Sequence, residues 1–96
     1  MFVIILSYIK PIEIINELRP AHLEFLDIYF KKNIFIASGR QNPLKGGVIL
    51  ATGVSREELE KIIIHDPFYT EEAATFEIIE FAPNKINPNI HDLITA

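Results

Sequence analysis

Four short runs rich in β-branched and aromatic residues, separated by two stretches of helical periodicity, leave this chain few ways to fold. The runs are Phe2 to Ile9, Ile34 to Ser38, Val48 to Thr52 and Thr75 to Phe81. From about Ile12 to Lys32 apolar residues recur at helical spacing. Ile15, Leu18, Leu26 and Tyr29 share one stripe, with Glu24, Asp27 and Lys31 opposite. Pro20 is expected in the first turn of the main part of that helix, because proline is costly in a helix interior. A second helix is expected from about Arg56 to His65, with Leu59, Ile62 and Ile63 inward. Its start is marked by Ser55 and Glu58 as a capping box and by Val54 and Leu59 as a hydrophobic staple. Pro67 is expected to stop it, since the residue before a proline disfavours helical geometry.

The resulting order, βαββαβ, points to an α+β fold of ferredoxin-like topology: a four-stranded antiparallel sheet with two helices on one face. At 96 residues the chain supports one hydrophobic core and not two. Residues 1–82 are expected to form that domain, and 83–96, rich in proline and asparagine, a tail docked through Ile90 and Leu93. The first run is apolar almost throughout, as in a strand covered on both faces. If helices cover one face of the sheet, a second copy of the chain is the simplest cover for the other, so a homodimer through the sheet face is expected.

Composition removes several classes of function. A formal net charge of −4 is unlike the basic footprint of a nucleic-acid binder. No cysteine is present, which excludes disulfides, zinc–thiolate sites and thiol nucleophiles and fits a reducing compartment. The apolar run at the start is too short to span a membrane and lacks a positively charged leader. No membrane association and a cytoplasmic location are therefore expected. Among possible metal ligands, His22, His65, Asp66 and His91 are scattered, so neither a metal nor another cofactor is expected.

The topology also says where chemistry would sit. In the 4132 strand order, the start of the first helix, the end of the second strand and the end of the second helix meet at one edge. Those positions hold His22, then Ser38 and Gly39, then Asp66. At about 100° per residue, His22 falls between Leu18 and Leu26, facing inward. Asp66 follows Leu59 by seven residues and Ile63 by three, also on a buried face, whereas His65 is rotated toward solvent. A histidine oriented by a carboxylate is a standard general acid or base. The plainer reading is a structural hydrogen bond, or an Asp66 that only caps a turn before Pro67. Ser38 is a hydroxyl at the same edge without the setting of a nucleophile elbow. Arg19 and Arg40 are placed to meet an anionic substrate there.

Several blocks resemble the YCII-related family: RPAHLEFL (Arg19 to Leu26), ASG (Ala37 to Gly39), a glycine-bearing hairpin, and SREELEKIIIHDPF ending in Asp66, Pro67 and Phe68. The resemblance covers about residues 1 to 82. It implies a dimeric ferredoxin-like fold of the dimeric α+β barrel type and a catalytic His and Asp pair, here His22 and Asp66, with Ser38 beside them. The family's biochemical roles are mostly undefined, although it includes dehydrochlorinase activity on a chlorinated hydroxyquinol. One departure is Arg40, where the family often has proline. The expected function is a small enzyme without cofactor, using His22 and Asp66 for elimination or isomerisation on a small, cyclic or anionic substrate. Arg19, Ser38, Gly39, Arg40 and Phe68 are the expected substrate contacts. The alternative is a dimer that binds a metabolite or a protein without turnover.

Overall fold

The structure, a computed structural model, describes residues 1–91. Strands β1 (Phe2–Tyr8), β2 (Phe35–Arg40), β3 (Gly46–Ala51) and β4 (Ala74–Glu80) form one sheet in the order β2-β3-β1-β4. Every neighbouring pair is antiparallel. Helix α1 (Ile12–Lys31) joins β1 to β2, and α2 (Arg56–Ile63) and α3 (Pro67–Thr70) lie between β3 and β4. This is the expected βαββαβ sandwich with a short extra helix.

Alternation decides what each strand contributes. Phe2, Ile4 and Leu6 of β1 are buried, and in register they meet Ala51, Ile49 and Gly47 on β3 and Glu80, Ile78 and Phe76 on β4. Ile15, Phe25 and Leu26 of α1, Leu59 and Ile63 of α2, and Phe68 of α3 complete a single core on this side. The other side carries Val3, Ile5, Val48, Leu50 and Ile79 in cross-strand register, and Ile79 is 45% exposed. Within one chain, then, β1 is covered on one face only.

Helix α2 begins as its sequence says: Ser55 Oγ accepts from the Glu58 N–H at 3.1 Å. It stops at Ile63, two residues short of the expected end. Two other expectations fail at proline. Pro20 lies inside α1 and not in its first turn. An interior proline costs about 3 kcal/mol. The turns before it bury Ile15 completely and pack Leu18 against the core, and a fully buried aliphatic side chain is worth about 1.5–3 kcal/mol. Burial of that opening segment offsets the proline. Pro67 ends nothing; it is the first residue of α3, with Asp66 as N-cap.

Strand β2 contains a bulge between Phe35 and Ala37, which makes Ile36 an extra residue relative to β3. Phe35 lies opposite Ala51, but beyond the bulge it is Ser38 and Arg40 that lie opposite Ile49 and Gly47. Gly46 sits where a Cβ would overlap the Leu6 carbonyl, so the β3 backbone closes onto β1 only with glycine there. The segment after β4 does not dock as expected at Ile90, which is 50% exposed, while Leu93 lies outside the described residues.

Candidate active site at the α1–α3 corner

Among the described residues, two polar side chains are buried in the core, Asp66 with no exposure and His22 with 9%. A lone buried carboxylate is strongly disfavoured unless its oxygens are hydrogen-bonded. Asp66 meets that demand on both sides. Its Oδ1 accepts from the Phe68 N–H at 2.9 Å, capping α3, and His22 Nδ1 lies 2.9 Å from Oδ1 and 3.0 Å from Oδ2. The capping role and the histidine contact, which read as alternatives in the sequence, belong to the same carboxylate. Its extended backbone, with ψ of 129°, is what a residue before proline adopts and what an N-cap needs.

An ionised carboxylate only accepts, so the hydrogen-bond network assigns the hydrogen to Nδ1 and leaves Nε2 as the unengaged ring nitrogen. The imidazole is fixed on its face too. It stacks on Phe68 with ring centroids 4.0 Å apart and 13° between planes, and Phe68 in turn meets Tyr8 edge-on at 5.9 Å. The Phe68 residue that gives its N–H to Asp66 therefore also supplies the platform for His22. His22 lies well within α1 and not in its first turn, yet its inward phase between Leu18 and Leu26 is as expected.

His22 forms part of the wall of a cavity of about 230 Å³ between α1, α3 and the β1–β3–β2 part of the sheet. Arg19, Ser38, Gly39, Arg40 and Phe68 also line it, so six of the seven expected site residues share one space and Asp66 stands directly behind His22. The bulge in β2 is what turns Ser38 and Arg40 toward this side. One turn before His22, Arg19 bonds Asn16 Oδ1 through a terminal nitrogen at 3.2 Å, and its Nε is buried without a partner. The remaining walls are Leu6, Tyr8, Leu23, Leu26, Gly47, Val48 and Ile49. Tyr8 is the most informative omission from the sequence reading: it continues the inward series Phe2, Ile4, Leu6. Period-two phase in β1 would have found it, had that strand not been read as covered on both faces.

His65, one residue from Asp66, is exposed, and no group of three or more metal-ligating side chains occurs among the described residues. No helix among those residues is long and apolar enough to cross a membrane.

A ferredoxin-like α+β domain with a buried histidine–carboxylate couple at the wall of a small, mostly apolar cavity is the class this corner defines. The model of the YCII-related domain matches residues 1–82, and the chain belongs to that family. A solved structure with a similar fold is 5-chloro-2-hydroxyhydroquinone dehydrochlorinase from Burkholderia phenoliruptrix AC1100, in complex with 2,5-dihydroxybenzoquinone. It aligns with a TM-score of 0.70 at 16% identity, over 85% of this chain and 94% of that one. No curated protein sequence matches this chain.

Proposed function

We propose that this protein is a small enzyme that performs general acid–base chemistry on a compact cyclic substrate, with His22 as the proton carrier and Asp66 as its positioning residue. The observation that carries this reading is the pairing of His22 Nδ1 with a fully buried carboxylate at the wall of a cavity. Nε2 takes a proton from a substrate carbon. The electron pair left behind forms a new double bond and expels a leaving group, or re-forms a C–H bond at another position when Nε2 returns the proton. Neither route needs a covalent nucleophile, and Ser38 serves as a hydrogen-bonding contact. Asp66 holds the tautomer and stabilises the imidazolium formed on the way. Phe68 keeps the ring in plane, while Gly39 and Arg40 border the substrate from β2.

The ligand of the similar solved structure, a dihydroxylated quinone ring, sets the first substrates to try. Wild type and His22→Ala would be incubated with 5-chloro-2-hydroxyhydroquinone and related hydroxylated rings in deuterated buffer, with NMR following substituent loss and deuterium uptake at carbon. The expected result is turnover of at least one ring, reduced about 10²- to 10⁴-fold in His22→Ala. Equal rates in the two proteins would end the reading.

The domain of residues 1–82 works, in this proposal, as a homodimer joined through the outer sheet face, whose apolar row of Val3, Ile5, Val48, Leu50 and Ile79 supports it. Light scattering at micromolar concentration should give twice the chain mass. A monomer mass would remove this part.

A further inference from the structure

We infer that the cavity selects small organic anions, with Arg19 as the anchor for the anionic group and Arg40 as a second cation at the rim. This takes the corner to be a ligand site, as proposed above, but it does not depend on His22 moving a proton.

The inference starts from an imbalance of charge. The chain as a whole carries a formal net charge of −4, yet both fully charged side chains lining the cavity are guanidinium groups. Neither is neutralised: the ion pairs among the described residues are His22 with Asp66 and Arg56 with Glu60. Asp66, the carboxylate behind the wall, is fully buried and already bonded to His22 and the Phe68 N–H. It has little left to offer Arg19.

Arg19 is also short of hydrogen-bond acceptors. Its guanidinium has five donor hydrogens, and the one side-chain acceptor it meets is Asn16 Oδ1 at 3.2 Å. Its Nε lies out of contact with solvent and has no partner. Buried donors are nearly always satisfied, so an Nε–H left open beside a cavity calls for an acceptor that the chain does not supply. A carboxylate or phenolate oxygen matches the planar fork of arginine better than a water does.

Size and position narrow the ligand. An apolar cavity of about 150 Å³ holds a benzene ring. The 230 Å³ present here suits one ring with a charged substituent, against walls formed largely by Leu6, Leu23, Leu26 and Ile49. Arg19 and His22 are three residues apart on α1, so their side chains are neighbours on one helix face. An anionic group held by Arg19 would set the adjoining ring carbons against His22. The substrate class that follows is a monocyclic acid or phenolate whose reacting carbon is close to its charged group.

The test compares two probes of nearly equal shape, benzoate and benzamide, by ¹H–¹⁵N NMR titration of the wild-type protein. Benzoate should bind about 10- to 100-fold more tightly than benzamide, the worth of a charge-assisted hydrogen bond, and should move the amide signals of Arg19, His22 and Gly39. Arg19→Gln should erase that preference, while Arg19→Lys, which keeps the charge and loses the fork, should retain part of it. Equal affinities in the wild type, or no binding of either probe at millimolar concentration, would overturn the inference, whether or not any variant folds. A preference that survives in both Arg19→Gln and Arg40→Gln would also overturn it. Benzoate preference alongside turnover that ignores His22→Ala would sink the acid–base reading alone; loss of the preference with His22-dependent turnover would sink this one alone.

Discussion

The exposed face of α2 and the α1–α3 corner each bring an acid and a base into contact, and the two contacts have little else in common. On α2, Arg56 Nε approaches Glu60 Oε1 at 3.3 Å with both side chains about half exposed. Water and salt compete for such a pair, and its net worth is a few tenths of a kcal/mol. At the corner, Asp66 is fully buried and its carboxylate is shared between an imidazole and the first turn of α3. There, removing one partner leaves the other without compensation. A contact of similar length is thus incidental in one place and structural in the other, and the surroundings make the difference.

Substitutions along this gradient should separate the two regions. Asp66→Ala removes a cap and strands His22 Nδ1, and should cost about 3 kcal/mol in urea unfolding. Asp66→Asn, which keeps an acceptor for the Phe68 N–H, should recover about 1 kcal/mol of that while leaving His22 without its carboxylate. A loss below about 1 kcal/mol for Asp66→Ala would put the corner on the same footing as the α2 surface. Ser55→Ala, which deletes the cap of α2, should cost about 1 kcal/mol, read from the same unfolding midpoints. Glu60→Ala should change stability by no more than about 0.5 kcal/mol, and its small effect should disappear at 1 M salt. A larger, salt-resistant loss at Glu60 would break the contrast from the other end.

The same contrast runs through what the sequence discloses. Helix α2 is legible because its signals are local: Ser55, Glu58, Val54 and Leu59 lie within six consecutive positions and each acts on the same turn. The facing of His22 is legible for a related reason, since helical phase needs no knowledge of the rest of the chain, whereas Asp66 lies beyond the end of α2 and faces inward as the N-cap of α3. Their place in the fold follows from strand order. What stays hidden depends on contacts distant in sequence. Pro20 reads as a helix start until the burial of Ile15 and Leu18 is counted against its cost. Helix α3 is only four residues long and is stabilised from outside, by the Asp66 cap and by the packing of Phe68 between His22 and Tyr8. Arg19 reads as a cation at the edge where a substrate would sit, and only the folded chain shows its Nε enclosed.

The bulge at Ile36 gives β2 the character of a selector switch. Past that residue, Ser38 and Arg40 address the cavity, and Ala37 lies opposite Leu50 on the other face. A strand has a period of two, so pairing Ile36 with Leu50 and closing the bulge, with the sequence unchanged, would exchange the two sets at once. The wall would then present Ala37 and Gly39, and the hydroxyl and guanidinium would move to the outer face, among the apolar side chains of Val48 and Leu50. Such a slip would alter the cavity and the outer face in one step, with the composition of the cavity's other walls unchanged, whereas deletion of Ile36 would remove the bulge and leave Ser38 and Arg40 opposite Ile49 and Gly47. The register of one edge strand therefore sets the chemistry of the cavity wall as much as the identity of the residues on that strand does.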